Sequence, residues 1–192
     1  MITIDASKLQ DVERQLGQYA KKAPIVLSRA LNRAATSLKT NATKEVRASY
    51  MIKAGDVKST FRVSKSRSKN IAASVTSSGN ALGIEKFKIK PQKSKSSKTM
   101  SVQVKKDGGV KGLLNAFVAE VNGNKVFERE KGSKHKKRKD GQWTQLPIKR
   151  LFGPPVPIML KNERIKATLE SEASKVFDKR LAHEISRVLE GN

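Results

Sequence analysis

Apolar and polar positions change their spacing twice along this chain. Leu9, Val12, Leu16 and Tyr19 recur at three- and four-residue steps, one face of a helix of about four turns, and Ser7 and Gln10 stand at capping-box spacing at its start. Lys21 and Lys22 suit a helix C-terminus, and Ala23, which precedes Pro24, is pushed away from helical geometry. The first helix is therefore predicted to stop there, with Pro24 in the first turn of a second. That second helix carries Leu27, Leu31, Ala34, Leu38, Ala42, Val46 and Tyr50 on one seam and Arg29, Arg33, Lys39, Lys44 and Arg47 on the other face. Its period holds for about seven turns, roughly 40 Å. Gly55 breaks it, and Asp56 is placed to cap one short turn that buries Val57 and Phe61.

The spacing then becomes two. Ile71, Ala73 and Val75 alternate with polar neighbours, as do Met100, Val102 and Val104, and each set predicts a strand. Asp107-Gly108-Gly109 is a turn, and Asn122-Gly123-Asn124 lies between the runs Phe117 to Val121 and Lys125 to Glu128, which predicts a β-hairpin. Helical spacing returns at Leu169, Ala173, Val176, Phe177, Leu181, Ile185 and Leu189 and ends at Gly191. The expected fold class is α+β: two N-terminal helices, one of them long, a small antiparallel sheet with basic loops, a proline-rich strap and a C-terminal helix, in a single domain over residues 1–192.

The strap is Leu146 to Leu160, LPIKRLFGPPVPIML, which holds four of the six prolines. Pro147, Pro154, Pro155 and Pro157 fix φ and donate no backbone hydrogen bond, so the stretch cannot be one helix or a central strand. Its apolar residues require it to pack against something. Pro147, Phe152, Gly153, Pro154, Pro155 and Pro157 are the candidate structural and interface residues, with Phe152 and the Val156 to Leu160 cluster as expected anchors.

Charge adds a partner to this picture. The net charge is +24, and between Arg62 and Arg150 there are 23 Lys and Arg against 6 Asp and Glu, so +17 of it lies in the middle of the chain. Such concentration points to a polyanion. Two low-complexity basic tracts, about 86–98 (KFKIKPQKSKSSK) and about 131–141, are expected to be mobile loops. Lys93, Lys95 and Lys98 of the first, and Lys134, Lys136, Lys137, Arg138 and Lys139 of the second, are the candidate DNA-facing residues. No zinc-finger spacing or aromatic-rich strand pair accompanies the charge, so any DNA contact is with the backbone and independent of sequence. Trp143 reads as a loop anchor.

Candidate catalytic chemistry is sparse. His135 sits in the lysine-rich tract and His183 on the polar flank of the last helix, and both read as solvated. No nucleophile elbow, phosphate-binding glycine loop or metalloprotease motif occurs, and the 17 acids are scattered. Without cysteine there is no disulfide or thiol chemistry. The reading is not an enzyme, with no cofactor and no metal. No apolar run of membrane-spanning length occurs, and the N-terminus lacks signal-peptide layout, so a cytoplasmic site of synthesis and no membrane partner are expected.

The run GLLNAFVAEVNGNKVFERE followed by QLPIKRLFGPPVPIML resembles the signature of the phage minor tail protein Z family, and ALNRAATSLKTNATKEVRASYMIKAGDVKSTFRVSKS resembles that family's first half. The likeness covers nearly the whole chain. It implies a structural tail-completion (neck) protein of a long-tailed phage, at the head-proximal end of the tail, helping to join tail to head. It further implies a ring of subunits, a hexamer by the tail's sixfold symmetry, around the DNA path. Tail-terminator or tail-tube proteins and head–tail connector proteins would be its neighbours, and packaged double-stranded DNA would be touched non-specifically. The expected location is the tail neck of the virion, after assembly in the host cytoplasm. The competing reading is a sequence-independent nucleic-acid-binding protein of nucleoid or ribosomal type, motivated by the pI of about 10.4.

Overall fold

In chain order the elements are β1 (Ile2–Ile4), α1 (Leu9–Leu16), α2 (Ala23–Ser49), α3 (Ala54–Lys58), β2 (Phe61–Ser64), β3 (Ala73–Ser77), β4 (Leu82–Gly83) and β5 (Lys88–Lys90). They continue with β6 (Met100–Gln103), β7 (Lys111–Leu113), β8 (Ala116–Glu120), β9 (Asn124–Arg129), β10 (Ile148–Arg150), β11 (Phe152–Gly153), α4 (Val156–Leu160) and α5 (Glu163–Leu189). The structure is a computed structural model and describes residues 2–4, 8–92, 99–130, 132, 134, 137, 139–142 and 147–191. Long helices at both ends and small antiparallel sheets between them make the fold α+β, as the spacing predicted.

Two compact units divide the chain. A terminal unit comprises Met1–Val46, Val57–Gly79 and Val156–Asn192, and a middle unit comprises Arg47–Asp56 and Asn80–Pro155.

In the terminal unit α2 buries Val26, Leu27, Leu31, Leu38 and Val46 together with Ala23, Ala30, Ala34, Ala35 and Ala42. Half of this seam is alanine, and each buried Leu or Val contributes about 1.5–3 kcal/mol relative to exposure. The three-stranded sheet, in the order β1-β3-β2, is antiparallel throughout, with Val63 opposite Val75 and Phe61 opposite Ser77. Phe61, Ala73 and Val75 point inward. Helix α5 begins at Asn162, whose side-chain oxygen accepts from the Arg164 amide at 3.1 Å, and it buries Ile165, Leu169, Ala173, Phe177, Leu181, Ile185 and Val188. Steps of four, where 3.6 would keep one straight face, wind this stripe around the helix. Lys8 joins α5 through Asp178 at 2.7 Å, and Arg29 of α2 joins it through Glu184 at 3.4 Å.

The first helix departs from its expected boundaries. The α-helix ends at Leu16, where Gly17 takes φ +52°, and a 3-10 segment, Gly17–Lys22, carries the chain into α2. Glycine adopts that φ without a Cβ clash. Ala23 is helical (φ −53°, ψ −44°) despite preceding Pro24. The bias against helix before proline is modest, and complete burial of Ala23 outweighs it. Ser7 lies outside the described residues, and Lys8, which precedes α1, makes no side-chain cap.

The middle unit contains the sheets β5-β6-β7 and β10-β9-β8 and the pair β4-β11. The expected hairpin is β8–β9, with Val118 opposite Val126, and Asn122 (φ +50°) and Gly123 (φ +89°) turning its tip. Tyr50 bridges Lys105, and the Met51 amide donates to the Val104 carbonyl at 2.8 Å, so the chain leaving α2 lines β6. Tract 86–98 begins differently from the expected loop. Lys88–Lys90 forms β5 against β6, with Phe87 and Ile89 buried. Alternation of Lys with Phe and Ile gives this stretch one apolar edge, which suffices for a strand whose lysines face water.

Leu31 is fully buried in the α2 seam, so Leu31→Ala should lower stability by about 2–5 kcal/mol. Urea denaturation followed by circular dichroism measures it; a loss below about 1 kcal/mol would mean that the seam is not the core of the terminal unit.

Candidate functional site

The proline segment is built on one accounting rule, that proline stands only where no backbone N–H is needed. Pro147 precedes β10 and contributes its carbonyl, which accepts from the Glu130 amide at 3.0 Å. Ile148–Arg150 then pairs antiparallel with Arg129–Phe127 as the outer strand beside β9. Leu151 donates to the Val126 carbonyl at 3.0 Å and accepts from the Ile84 amide at 3.1 Å, handing the chain from one ladder to the next. Phe152 and Gly153 pair with Gly83 and Leu82. Pro154 and Pro155 end that ladder, and Pro157 is the second residue of α4, inside the first turn. The stretch is neither one helix nor a central strand, and its proline-free intervals form edge strands.

Close approach acts at both glycines of the β4–β11 pair, against an aromatic ring at Gly153 and against the movable ends of two side chains at Gly83. A Cβ on Gly153 would lie 2.5 Å from Phe87 Cε2, and one on Gly83 would lie 2.5 Å from Arg150 Nη2 and collide with the Glu85 carboxylate. Glu85 and Arg150 form an ion pair over this ladder. Their side chains are 12% and 31% exposed, and Glu85 Oε2 and Arg150 Nε have no further partner among the described residues. The Arg150 guanidinium also lies 5.1 Å from the centre of the Phe152 ring.

Phe152 was an expected anchor and is not one. It is 53% exposed, as Ile158 is at 58%, while Val156 and Met159 of α4 are completely buried. The reason is register: on a two-residue strand between Leu151 and Pro154 only one side faces the interior, and Gly153 takes it against Phe87. Ile148, also exposed, lies on β10 four residues before Phe152, so the middle unit presents two large apolar side chains on its edge strands.

The candidate DNA-facing residues divide. Lys134, Lys137 and Lys139 are exposed. Lys93, Lys95, Lys98, Lys136 and Arg138, and also Leu146 and Trp143, lie outside the described residues. A second basic feature lies in the terminal unit: the sequence placed Arg29 and Arg33 on the basic face of α2 but did not join them to Lys65 and Arg180. Arg29 and Arg33 of α2, Lys65 just after β2 and Arg180 of α5 line one cleft of about 460 Å³, with Glu184 as its acid. Asn32 fixes Lys65 in place: its Nδ2 donates to the Ser66 carbonyl at 3.0 Å and its Oδ1 accepts from the Ser66 amide at 2.8 Å. The available signal was the alternating Ser64-Lys65-Ser66-Arg67-Ser68-Lys69 run, but its partner on α2 is more than thirty residues away. Among the described residues no three His, Asp or Glu side chains converge as a metal centre requires, and no helix is long and apolar enough to cross a membrane.

Gly153→Ala should cost about 1–3 kcal/mol by displacing the Phe87 ring. Combined with Phe87→Leu it should be less destabilising than the sum of the two single changes, as read in a denaturation double-mutant cycle.

No curated protein and no solved structure matches the chain. The sequence model of the prophage minor tail protein Z (GPZ) family matches residues 8–190, a span that takes in the α2 seam, the β8–β9 hairpin and the proline segment. With that match running over nearly its entire length, the chain belongs to the prophage minor tail protein Z family and is a structural component of a phage tail.

Proposed function

We propose that this protein completes the tail at its head-proximal end, where copies assemble into a closed ring, a hexamer, around the DNA path and help to join tail to head. The observation that carries the reading is the pair of exposed apolar residues, Ile148 and Phe152, on edge strands within the proline segment. Large apolar side chains beside an open strand edge are a surface for another chain, and one patch meeting a different patch on an identical subunit makes a ring wherever the rotation closes. The proline segment sets the angle at which that surface is presented. Neighbouring tail-terminator, tail-tube or connector proteins contact the two faces of the ring, and the exposed Lys134, Lys137 and Lys139 approach packaged DNA through its phosphates.

A second reading is favoured by the +24 charge. It is a free, sequence-independent DNA-binding protein, which would bind duplex DNA tightly as a monomer. Native mass spectrometry of the purified chain, with labelled-subunit imaging of assembled particles, separates the two. Rings, and label at the neck, are expected for the first; a monomer absent from the neck would defeat it.

Two variants sharpen the test. Ile148→Ser with Phe152→Ser should weaken self-association by at least about tenfold, or about 1.4 kcal/mol. The melting temperature of the subunit should fall only slightly, because both side chains are about half exposed, at 46% and 53%. Replacing Lys136, Lys137, Arg138 and Lys139 with Gln should leave assembly intact. The salt dependence of DNA binding should fall by about 0.9 in log–log slope for each phosphate that the variant no longer neutralises.

A further inference from the structure

The cleft between α2 and α5 has an excess of fixed positive charge that no element of the terminal unit uses. Arg29 and Arg33 are one turn apart on α2, and Arg180 and Glu184 one turn apart on α5. Lys65 completes the cleft from the loop after β2. Glu184 is engaged by Arg29 at 3.4 Å and by Arg187 at 4.0 Å. Arg33, Lys65 and Arg180 have no acidic partner among the described residues. Four cations lining one cleft with a single, already shared carboxylate leave a net positive charge there, which a bound anion offsets.

The cleft is organised before anything binds. Ser66 is buried, and its amide and carbonyl are both taken by the Asn32 side chain. The turn beyond it closes on itself through paired backbone bonds between Arg67 and Asn70, at 3.0 and 2.9 Å, and the Ser66 hydroxyl donates to the Asn70 carbonyl at 3.2 Å. Lys65 is thereby carried on a short rigid arm pinned to α2. Thr36 also lines the cleft, and its hydroxyl donates to the Asn32 carbonyl at 2.9 Å, which leaves the guanidinium and ammonium groups as the donors there.

We propose that this cleft is a phosphodiester-binding site for the backbone of double-stranded DNA, separate from the basic tract at residues 131–141. Arginine forks and a lysine are side chains that contact DNA phosphates. The pinned turn extends the charge beyond the cleft through Arg67 and Lys69, both exposed, and such a track matches a repeating polyanion better than one compact anion. The proposal rests on the reading that DNA passes close to the assembled protein, and not on where in the particle this happens.

Fluorescence anisotropy of a short labelled duplex with the purified full chain, titrated across NaCl concentrations, tests it. Arg33→Gln with Arg180→Gln should reduce the log–log salt slope by about 1.8, Lys65→Gln alone by about 0.9, and Arg33→Lys with Arg180→Lys should retain the slope. Glu184→Gln should tighten binding, since it frees Arg29 and removes the one acid of the cleft. Should Arg33→Gln with Arg180→Gln fail to show wild-type circular dichroism, Lys65→Gln, on an exposed side chain, decides the matter. An unchanged slope in the folded variants overturns the site. Loss of polyglutamate binding with the DNA slope unchanged also overturns it and assigns the cleft to an acidic protein segment. Neither result depends on neck placement, which particle imaging reads separately.

Discussion

A shortage of large side chains is the constraint under which both units are built. Only 36% of the chain is hydrophobic and 5% aromatic, so few large side chains are available to fill space between elements. In the terminal unit five alanines of α2 stand in the buried seam, and the larger Leu and Val residues between them fill what remains. In the middle unit Gly83 and Gly153 let the Glu85–Arg150 pair and the Phe87 ring lie directly on a two-stranded ladder. Interiors are packed to crystal-like density, and at Gly153 even one added carbon would meet the Phe87 ring at 2.5 Å.

Charge is distributed under a second constraint. With 41 basic side chains against 17 acidic ones, each acid can serve few partners, and several of them connect segments far apart in sequence. Asp178 takes Lys8, Glu184 takes Arg29, Asp56 takes Lys86 at 2.8 Å and Glu85 takes Arg150. Pairs as exposed as Lys8–Asp178 contribute at most about 1 kcal/mol each. Other cations have no such pairing among the described residues, among them the exposed Lys134, Lys137 and Lys139 of the middle unit and Arg33, Lys65 and Arg180 of the cleft. A structural tail component of this composition is suited to work beside a polyanion.

The proline segment shows where reading a sequence succeeds and where it stops. Four prolines exclude one helix and a central strand by covalent chemistry alone, and the chain obeys. Which apolar residues of the segment are anchors is a different kind of question. Phe152 has the composition of an anchor and is exposed, whereas Val156 and Met159 are buried, because the pairing of Phe152 with Gly83 decides which way its ring points. A one-residue change of register would reverse the answer, and no local pattern specifies register across seventy residues.

By itself the sequence determined what depends on neighbours along the chain: the long α2, the winding stripe of α5, the Asn122-Gly123 hairpin, the breaks at proline and the concentration of charge in the middle. These follow from side-chain periodicity, allowed φ and missing amide hydrogens, all of which act within a few residues. Tertiary structure alone decided what depends on distant segments meeting. It made Lys88–Lys90 a strand by giving it β6 as a partner, and it set Phe87 over Gly153. It also gathered Arg29, Arg33, Lys65 and Arg180 around one cleft by fastening Ser66 to Asn32. Those arrangements are pairings between residues tens of positions apart, and the physics that selects them is packing and hydrogen-bond satisfaction over the whole unit.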